Sequence, residues 1–532
     1  MISTRRLTLG DVVREHRRSF PGSVALVDGA VRLTWPELDE RTNRLANALG
    51  RAGVGPGDRI LWLGQNSFRV YELLVAAAKI GAMVCPGYWR WAAPEMAFAV
   101  RDFDPAVVVW QDEEIGATVR AARAELGEGH PALWLRHDID SAVDTAGGHS
   151  EGSYEDFLAA GGADDPGTDV DPDSALLVIY TAAISGRQCG SMLSHRNLVA
   201  MGLTAAWMGD IDHETAFLNS GPMFHIGNYQ FWGIPVLVLG GKNVVVRRVV
   251  AEELLPLLAA ERCTHAYLMP PTIARLVELN RDGGHDLSCM RATMAAPSWQ
   301  GTVPTDGSRF TRNGGGEGRG YGQTEVTGFV TTGAFGGSGT GNAGRPGPFV
   351  RVRILDARGE ECPVGEAGEI CVRGDLVHLG YWNRPEVNEE RFRSGWWHTT
   401  DLGRREADGT VSFLGTTTRM LKSAAENIFP AEVENRIESH PAVKEAAVIG
   451  VPNERWSQDV KAVVVLREGA SATAEDIIGH CRAGIASYKK PKTVEFVDAL
   501  PRTASFGKDY QALDVRFGGG GYPGGRTLGA GR

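Results

Sequence analysis

The five residues YGQTE at positions 321–325 are the most informative stretch of this 532-residue sequence, and two glycine-rich segments flank them. The segments are GGGEGRG at 314–320 and GAFGGSGTGNAG at 333–344. One interpretation is a pair of flexible surface loops. The other is a backbone that packs closely against a bound ligand, which glycine permits because it has no Cβ atom.

The composition is typical of a globular enzyme with several domains. At roughly 150 residues per domain, the length predicts two to four domains. The 55 basic and 65 acidic residues give a formal charge of −10, spread without long blocks of one sign. This balance argues against nucleic acid or an anionic membrane as the main partner. The 68 glycines are nearly double the average usage of roughly 7%, which indicates many tight backbone turns.

The cysteines and the N-terminus predict a reducing compartment. No two of the seven cysteines have the C-x-x-C spacing of zinc or redox sites. The first twenty residues lack the apolar core of a signal peptide. The longest apolar stretches, 70–85 and 231–239, are interrupted and too short for a membrane span. We therefore expect a soluble, cytoplasmic protein without a membrane span.

Hydrophobic patterns divide the chain into a large α/β domain and a small α+β domain. Up to residue 415, β-rich runs such as 60–63, 106–110, 175–180 and 244–249 alternate with helical patterns such as 35–49, which predicts mostly parallel sheets. Residues 416–418 are the predicted hinge. The small, mobile domain, 419–517, is predicted as helix 430–439, strands 446–451 and 461–466, helix 474–486 and strand 493–500. The glycine-rich tail, 518–532, is predicted to be disordered.

Eight segments, in order along nearly the whole chain, point to one family. They are LTWPEL (33–38), GPGDR (55–59), PMFH (222–225), YGQTE (321–325), GRP (344–346), GEAGE (365–369), GYW (380–382) and GWWHTTD (395–401). Together they resemble the adenylate-forming superfamily of acyl-CoA synthetases, luciferases and peptide-synthetase adenylation domains. The resemblance implies a large N-terminal domain, a small C-terminal domain that rotates, and two half-reactions. The first makes an acyl-adenylate from a carboxylate and ATP, and the second hands the acyl group to a thiol, commonly that of CoA.

The resemblance also assigns candidate site residues. An aromatic face can stack on a base, and Tyr321 with Gly322 matches the adenine platform. Thr324 matches the residue that meets the α-phosphate, Glu325 the magnesium ligand, and Asp401 the acceptor for the ribose hydroxyls. The full predicted AMP-binding set is Ala295, Ala296, Pro297, Tyr321, Gly322, Gln323, Thr324 and Asp401. The predicted acyl pocket contains His225, Trp232 and Gly322. Taken singly, each of these residues could equally be an ordinary loop or core residue.

The phosphate-gripping loop of the family, commonly Y-T-S-G-T-T-G-x-P-K-G, is altered at 180–190. Thr181 and Gly186 are retained, and Ser185 is also polar. Four positions differ from the family pattern. Ala182 replaces the serine, Ala183 the inner glycine, Ile184 the central threonine and Cys189 the lysine. Such loops hold polyphosphate with hydroxyls, free N–H groups and a cation. These replacements therefore predict the loss of most contacts to the polyphosphate of ATP. Arg187 is a possible substitute for the lysine.

Three further positions bear on the two half-reactions. Thr416 and Thr418 replace an arginine and a charged hinge residue of the family. Lys508 resembles the adenylation lysine, but one extra residue precedes Gly507, and the other alignment register places Gly507 itself at the lysine position. Lys422 matches a lysine that faces the active site after the small domain rotates. Ala424 and Ala425 replace a glycine-rich turn and could narrow the pantetheine tunnel. The predicted catalytic residues are His225, Lys422 and Lys508.

These losses leave three hypotheses. The first is a non-adenylating acid-thiol ligase that transfers a preformed acyl-adenylate to CoA, supplied by a separate adenylating enzyme. In this respect the chain resembles the non-adenylating acyl-CoA ligases of platensimycin-type diterpenoid biosynthesis, which implies natural product biosynthesis and a bulky terpenoid acid. The second is a complete ATP-dependent acyl-CoA synthetase with magnesium. The third is a catalytically silent protein that binds acyl or nucleotide ligands.

Overall fold

The computed structural model describes residues 6–127, 132–137, 152–184, 187–266, 268–293, 320–332, 341–416, 420–423, 426–502 and 508–522. In these ranges a large α/β region precedes a smaller region built on one sheet, which confirms the predicted fold class. The predicted hinge lies at the edge of the described residues, because 417–419 fall outside them.

Two mostly parallel sheets form the first part of the large domain, as the alternating pattern predicted. In the described ranges the first sheet has the strand order Ala292–Thr293, His265–Ala266, Ala216–Asn219, Lys242–Val245, Val24–Asp28 and Val31–Thr34. The second has the order Gly152–Ser153, Leu133–His137, Val107–Gln111, Arg59–Leu63, Met83–Pro86, Ala175–Ile184 and Arg187–Ser194. Among the described strands of these two sheets, only the pairs Val24–Asp28 with Val31–Thr34 and Ala175–Ile184 with Arg187–Ser194 are antiparallel.

Two antiparallel sheets complete the large domain. The strands of the smaller one are Gly320–Gln323, Gly328–Thr332 and Arg345–Pro346. The strands of the larger one are Gly341–Asn342, Val411–Thr416, Trp396–Arg405, Ala367–Gly374 and Val350–Leu355, with Phe392–Arg393 beside Trp396–Arg405. The described helices of this domain are Leu9–Ser19, Trp35–Arg51, Phe68–Ile80, Ala93–Phe103, Gly116–Leu126, Tyr154–Ala159, His195–Gly209, the π-helix Ile226–Gly233, Ile234–Val238, Ala251–Ala260, Pro270–Leu279 and Pro385–Arg391.

The helix predicted at 35–49 is present as Trp35–Arg51, and local chemistry explains its start. The hydroxyl of Thr34 accepts a hydrogen bond from the Glu37 backbone, and the Glu37 carboxylate accepts one from the Thr34 backbone. This capping box satisfies two N–H groups that a helix start leaves without partners. The face carrying Leu38, Leu45 and Leu49 is fully buried, as the periodicity predicted.

A buried lysine explains why the apolar stretch at 70–85 is interrupted. The Nζ atom of Lys79 lies 2.7 Å from Asp39 Oδ1 and 2.7 Å from Asn43 Oδ1. Burial lowers the pKa of Lys79 to about 8, against the opposing effect of Asp39. Among the described residues, no helix is both long enough and apolar enough to cross a bilayer.

The small domain has the predicted order of elements, with additional strands at its start. Its described helices are Pro430–Glu438, Ala474–Gly484 and Tyr510–Phe517, and its strands are Leu421–Ser423, Glu426–Ile428, Val443–Asn453, Ser457–Leu466 and Thr493–Phe496. Two extra strands pair in register, with Lys422 opposite Asn427. The sequence patterns did not reveal this hairpin, because each of its strands is only three residues long.

The first five residues of the segment predicted to be a disordered tail, 518–522, make defined contacts with the small domain. Gly518 to Tyr522 pack on the small domain: the Tyr522 hydroxyl donates to Asp514 Oδ1 at 2.7 Å and accepts from the Gly450 N–H at 3.0 Å. The N–H of Gly520 also donates to the Gly450 carbonyl at 2.9 Å. The boundary placed at 518 was therefore wrong for these five residues, and the aromatic ring of Tyr522 provides the contact that composition overlooked. Residues 523–532 lie outside the described part of the chain.

Candidate active site

The YGQTE segment forms a tight antiparallel hairpin. Tyr321 pairs with Thr331, and Gly322 pairs with Phe329. A Cβ atom added to Gly322 would lie only 1.9 Å from the Gly328 carbonyl oxygen. Because no side chain fits that gap, the close approach of the two strands at position 322 requires glycine. At Gly322 the near neighbour is backbone of the same hairpin, whereas most of the glycine-rich segments 314–320 and 333–344 lie outside the described residues, so both interpretations of those segments stay open.

Asp401 lies beside the hairpin, so the structure brings three predicted AMP-binding residues together. Its Oδ2 atom accepts from the Tyr321 hydroxyl at 2.8 Å and from Gln323 Nε2 at 2.6 Å. Burial raises the pKa of Asp401 to about 7, although both donors act in the opposite direction. Within the described part of the chain, Oδ1 accepts no hydrogen bond, so it can accept from an alcohol such as a ribose hydroxyl.

Thr324 and Glu325 follow in a short helical turn, and Glu325 is the candidate magnesium ligand. The Glu325 side chain is buried, and its Oε1 atom accepts from the Tyr381 hydroxyl at 2.8 Å. Burial raises the pKa of Glu325, with opposition from Tyr381. Mg²⁺ in phosphate sites commonly takes one or two carboxylates and completes its shell with phosphates and water. A single carboxylate here fits such an ion only when a phosphate ligand is present.

His225 is held at the start of the π-helix Ile226–Gly233 and in one tautomer. Its Nδ1 atom accepts from the Gly227 N–H at 3.0 Å. Burial lowers the pKa of His225 to about 4, and the charge of Lys422 acts in the same direction. The imidazole is therefore neutral at pH 7 and carries its proton on Nε2, because Nδ1 is an acceptor. It can donate one hydrogen bond to a carbonyl or carboxylate oxygen.

The π-helix connects His225 to the YGQTE hairpin. The Phe231 ring contacts the Phe329 ring edge to face, with centroids 4.8 Å apart. Buried amides anchor its other side, where Asn228 Nδ2 donates to Asn219 Oδ1 and to the Gly221 carbonyl. π-helical turns are rare and occur frequently at functional sites. The sequence did not reveal this element.

Trp232, predicted in the acyl pocket, packs in the core. Its ring stacks on Phe217 with centroids 5.6 Å apart and an interplanar angle of 15°, and only 4% of the residue is exposed. In this structure the Trp232 ring therefore packs against a core side chain. Its sequence position beside a glycine did not distinguish pocket from core.

The two predicted catalytic lysines lie in different surroundings. Lys422, on the strand Leu421–Ser423, is close enough to His225 to influence its titration, and burial lowers the pKa of Lys422 itself. Lys508 instead points to a helix of its own domain, with Nζ 3.0 Å from Glu434 Oε2 and 3.2 Å from Glu438 Oε1. These carboxylates raise the pKa of Lys508 against the effect of burial. In this arrangement Lys508 is paired within its own domain, and its predicted catalytic role stays a prediction.

The segment that corresponds to the phosphate loop is a β-hairpin. Thr181 pairs with Cys189, and Ile184 pairs with Arg187. Pairing of this kind engages backbone groups that a phosphate-binding loop keeps free. Cys189 is 1% exposed, and burial raises the pKa of its thiol. Ser185 and Gly186, and the side chains of Ala182, Ala183 and Arg187, lie outside the described part of the structure.

Arg384 is a residue of this region that the motifs did not single out. Its guanidinium lies near the Cys189 thiol and opposes the rise in the pKa of that thiol. Its Nη1 atom is 2.8 Å from Asp102 Oδ1, and its Nη2 atom donates to the Gln188 carbonyl at 3.1 Å. Arg384, from a distant segment of the chain, thus places a positive charge near the position of the family lysine. The only available sequence signal was its place two residues after the GYW motif.

Several predicted positions fall outside the described residues. They are Ala295, Ala296 and Pro297 of the AMP-binding set, the hinge residue Thr418, the turn Ala424-Ala425, and Gly507 before Lys508. Their assignments stay predictions.

Known proteins resemble this chain over almost its whole length. It is 33% identical over 504 residues to a feruloyl-CoA synthase of Amycolatopsis sp, covering 94% of this chain and 97% of that protein. It is 30% identical over 520 residues to the fatty acid–[acyl-carrier-protein] ligase ScoC of Streptomyces coeruleorubidus, covering 94% of each. The fold also matches the amide bond synthetase McbA of Marinactinospora thermotolerans, with a TM-score of 0.78, 24% identity and coverage of 96% and 100%.

Family models match both domains. Residues 13–382 match the AMP-binding enzyme model, and residues 432–507 match the model of the AMP-binding enzyme C-terminal domain. The first match alone spans more than half of the chain and includes His225 and the YGQTE hairpin. With these matches and the relatives above, the chain belongs to the AMP-binding enzyme family, the adenylate-forming superfamily that includes the acyl-CoA ligases.

Proposed function

We propose that this protein is an acid-thiol ligase that works mainly in the second half-reaction, in which acyl-AMP and CoA give acyl-CoA and AMP. The observation that carries this proposal is the placement of the two lysines. The charge of Lys422 reaches His225 and lowers the pKa of its imidazole, whereas Lys508, which resembles the adenylation lysine, is paired with Glu434 and Glu438. This difference supports Lys422, rather than Lys508, as the lysine that serves the predicted acyl site.

The chemistry of this step requires little from the protein. The CoA thiol gives its proton to solvent water, its sulfur forms a bond to the acyl carbon, and the bond from that carbon to the phosphate oxygen breaks, which releases AMP. The Nε2–H of His225 is a suitable donor for the oxygen that gains negative charge. The charge of Lys422 stabilises an incoming thiolate or the departing phosphate. Holding both reactants together supplies the largest share of the rate, because it makes the attack intramolecular.

The first half-reaction has fewer contacts available. Attack of a carboxylate on ATP releases pyrophosphate and needs cations and N–H donors around the β- and γ-phosphates. Here the buried Cys189 replaces the family lysine, and its backbone pairs with that of Thr181 in a hairpin. Loss of one preorganised donor typically costs a factor of about 100 to 1,000 in rate. Magnesium held by Glu325 would supply positive charge to a phosphate, but it replaces none of these contacts.

CoA is the thiol that we propose as acceptor, and a cluster of cations supports this choice. The charges of Lys492 and Arg482 add to burial in lowering the pKa of Lys490. Such a cluster suits the phosphates of a nucleotide thiol. Tyr488, two residues before Lys490, contacts Tyr88 of the large domain, so the cluster adjoins the domain interface.

The acyl group and its supply are further parts of the proposal. The relatives named above act on a feruloyl group and on fatty acids, so we propose a carboxylic acid with a substantial apolar part. A terpenoid acid, as the non-adenylating resemblance implies, falls in this class. A separate cytoplasmic enzyme would supply the adenylate, because this chain lacks most of the expected polyphosphate contacts.

A complete ATP-dependent synthetase is the second candidate, and Arg384 favours it. The guanidinium lies near the position of the lost lysine, where a cation would be useful to polyphosphate. However, its charge is already paired with Asp102. We therefore place this function second.

The experiment compares two routes to the same product. The purified protein receives CoA together with either synthetic feruloyl-AMP or ferulate, ATP and Mg²⁺, and acyl-CoA is followed by chromatography. Fatty acyl and diterpenoid acids, with their adenylates, extend the panel. Product from the adenylate alone supports the proposal. Efficient product from acid and ATP supports the second candidate, and product from neither route across the panel favours a silent binding protein.

A further inference from the structure

One buried lysine connects the two domains. The Nζ atom of Lys489 lies 2.6 Å from Glu432 Oε1 of the small domain and 2.8 Å from Glu95 Oε1 of the large domain. The Lys489 side chain is 2% exposed and the two carboxylates are each 8% exposed. Burial of a charge to this degree is costly unless the charge is paired and hydrogen-bonded.

The contact with Glu95 exists only while the domains are docked in this way. Glu432 begins the helix Pro430–Glu438 of the same domain as Lys489, so that pair moves together. Glu95 belongs to the helix Ala93–Phe103, where its other oxygen accepts from the Ala92 N–H at 2.9 Å. Glu95 is therefore held by its own helix. A rotation that carries Lys489 away from the helix Ala93–Phe103 would break its contact with Glu95 and expose the buried charges.

The surroundings of this cluster are also interdomain contacts. The Tyr88 and Tyr488 rings lie edge to face with centroids 5.8 Å apart. The Tyr88 hydroxyl donates to Glu426 Oε1 at 3.2 Å, and Arg90 Nη1 lies 3.9 Å from the same oxygen. Glu426 starts the strand that pairs with Leu421–Ser423, the strand of Lys422. One residue of the interdomain contact, Glu426, thus belongs to the same short hairpin as Lys422.

We propose that Lys489 is a positioning residue for acyl transfer: its bridge between Glu95 and Glu432 holds the small domain in the orientation that places Lys422 beside His225. This inference rests on the proposed function. Removal of the cation leaves two buried carboxylates facing each other, which favours separation of the domains. Breaking a buried pair by removing one partner is strongly destabilising because an uncompensated charge stays behind. Lys489 itself touches no reacting atom.

The experiment uses the full chain with K489M as the main variant. Two readouts are followed: acyl-CoA formation from synthetic acyl-AMP and CoA, and hydrogen–deuterium exchange in peptides covering 93–103 and 485–492. K489R keeps the cation, and E95Q removes one charge while retaining an acceptor for the Ala92 N–H. K444M, at an exposed position of the small domain, is the matched control.

We expect K489M to lower the transfer rate at least tenfold and to raise exchange in both peptides at least fivefold. K489R should recover the rate to within threefold of the parent protein, and K444M should match it. Affinity for a non-hydrolysable acyl-adenylate analogue, measured by calorimetry, should change less than twofold, because that ligand binds the large domain. The double variant K489M/E95Q should transfer no more slowly than K489M.

Two results would overturn the inference: unchanged exchange and transfer in K489M, or a loss of analogue affinity that parallels the loss of rate. If K489M does not fold, K489R and E95Q still decide the question, because E95Q must then increase exchange at 485–492. Should the parent protein transfer no acyl group, the proposed function fails, whereas the exchange readout continues to test the bridge on its own.

Discussion

Lys422 of the small domain lies close enough to His225 of the large domain for its charge to add to burial in lowering the pKa of the imidazole to about 4. The Nδ1 atom of that ring accepts from the Gly227 N–H at 3.0 Å, so Nε2 carries the proton. The pair therefore combines one cation and one neutral donor at the predicted acyl site. Such a pair suits the transfer of an acyl group from phosphate to sulfur.

Replacement of the two lysines should affect acyl transfer unequally. We expect K422M to lower transfer from acyl-AMP to CoA by about 100-fold, because it removes a preorganised charge from the acyl site. K508M should lower it less than threefold, since Lys508 is paired with Glu434 and Glu438. Single-turnover transfer rates of the two purified variants provide the measurement. Equal losses in both variants would show that the lysines share one role.

The affinity for AMP should depend on pH through Asp401. Its pKa is raised from 3.8 to about 7, and the ionised form accepts hydrogen bonds from ribose hydroxyls better than the neutral acid. Affinity should therefore rise with pH through 7 and weaken by about tenfold for each pH unit below it. Calorimetric titration with AMP between pH 6 and 8 measures this slope. D401N should bind weakly and without the slope, and a slope that persists in D401N must come from another group.

Lysine at position 189 should not restore adenylation by itself. Cys189 is 1% exposed and lies near Arg384, so C189K would bury a second cation beside the first. We expect no gain in ATP–pyrophosphate exchange and a melting temperature several degrees lower, because an uncompensated buried charge is costly. C362K, at a half-buried position, controls for the introduction of a lysine. Full recovery of exchange in C189K would mean that the lost lysine was the only serious defect.

The sequence predicted much of the fold, because many of its helices and strands depend on short-range patterns. The capping box and the buried face of Trp35–Arg51 are readable as local spacing. The small domain follows its predicted order of elements for the same reason. Only the family resemblance of the YGQTE and GWWHTTD segments assigned Tyr321 and Asp401 to one site, since the two residues are eighty positions apart and meet through the Tyr321 hydroxyl.

Other features required three-dimensional information. Arg384 reaches Cys189 from a separate segment, and no spacing rule connects the two positions. Lys508 lies near a helix whose carboxylates neutralise it, which a motif match cannot reveal. The bridge from Lys489 to Glu95 joins residues almost four hundred positions apart. Tertiary contacts of charged side chains were thus the main part that sequence reasoning missed.

Alanine at Gly322 should disrupt the AMP side of the site. Its Cβ atom would lie 1.9 Å from the Gly328 carbonyl oxygen, so the hairpin must open. We expect a destabilisation of about 1–3 kcal/mol and at least a tenfold loss of AMP affinity, measured by thermal melting and calorimetry. G284A is the control, because a Cβ atom there meets nothing within 4 Å. Unchanged AMP binding in G322A would argue against a nucleotide site at this hairpin.

The most direct test of the central claim is the ratio of two single-turnover rate constants for acyl-CoA formation by the parent protein. One is measured from synthetic acyl-AMP and CoA, the other from the matching acid with ATP, Mg²⁺ and CoA. If this chain serves mainly the second half-reaction, the adenylate route should be at least about 100-fold faster, since loss of even one polyphosphate contact costs that much. Similar rate constants for both routes would contradict the claim and identify a complete synthetase.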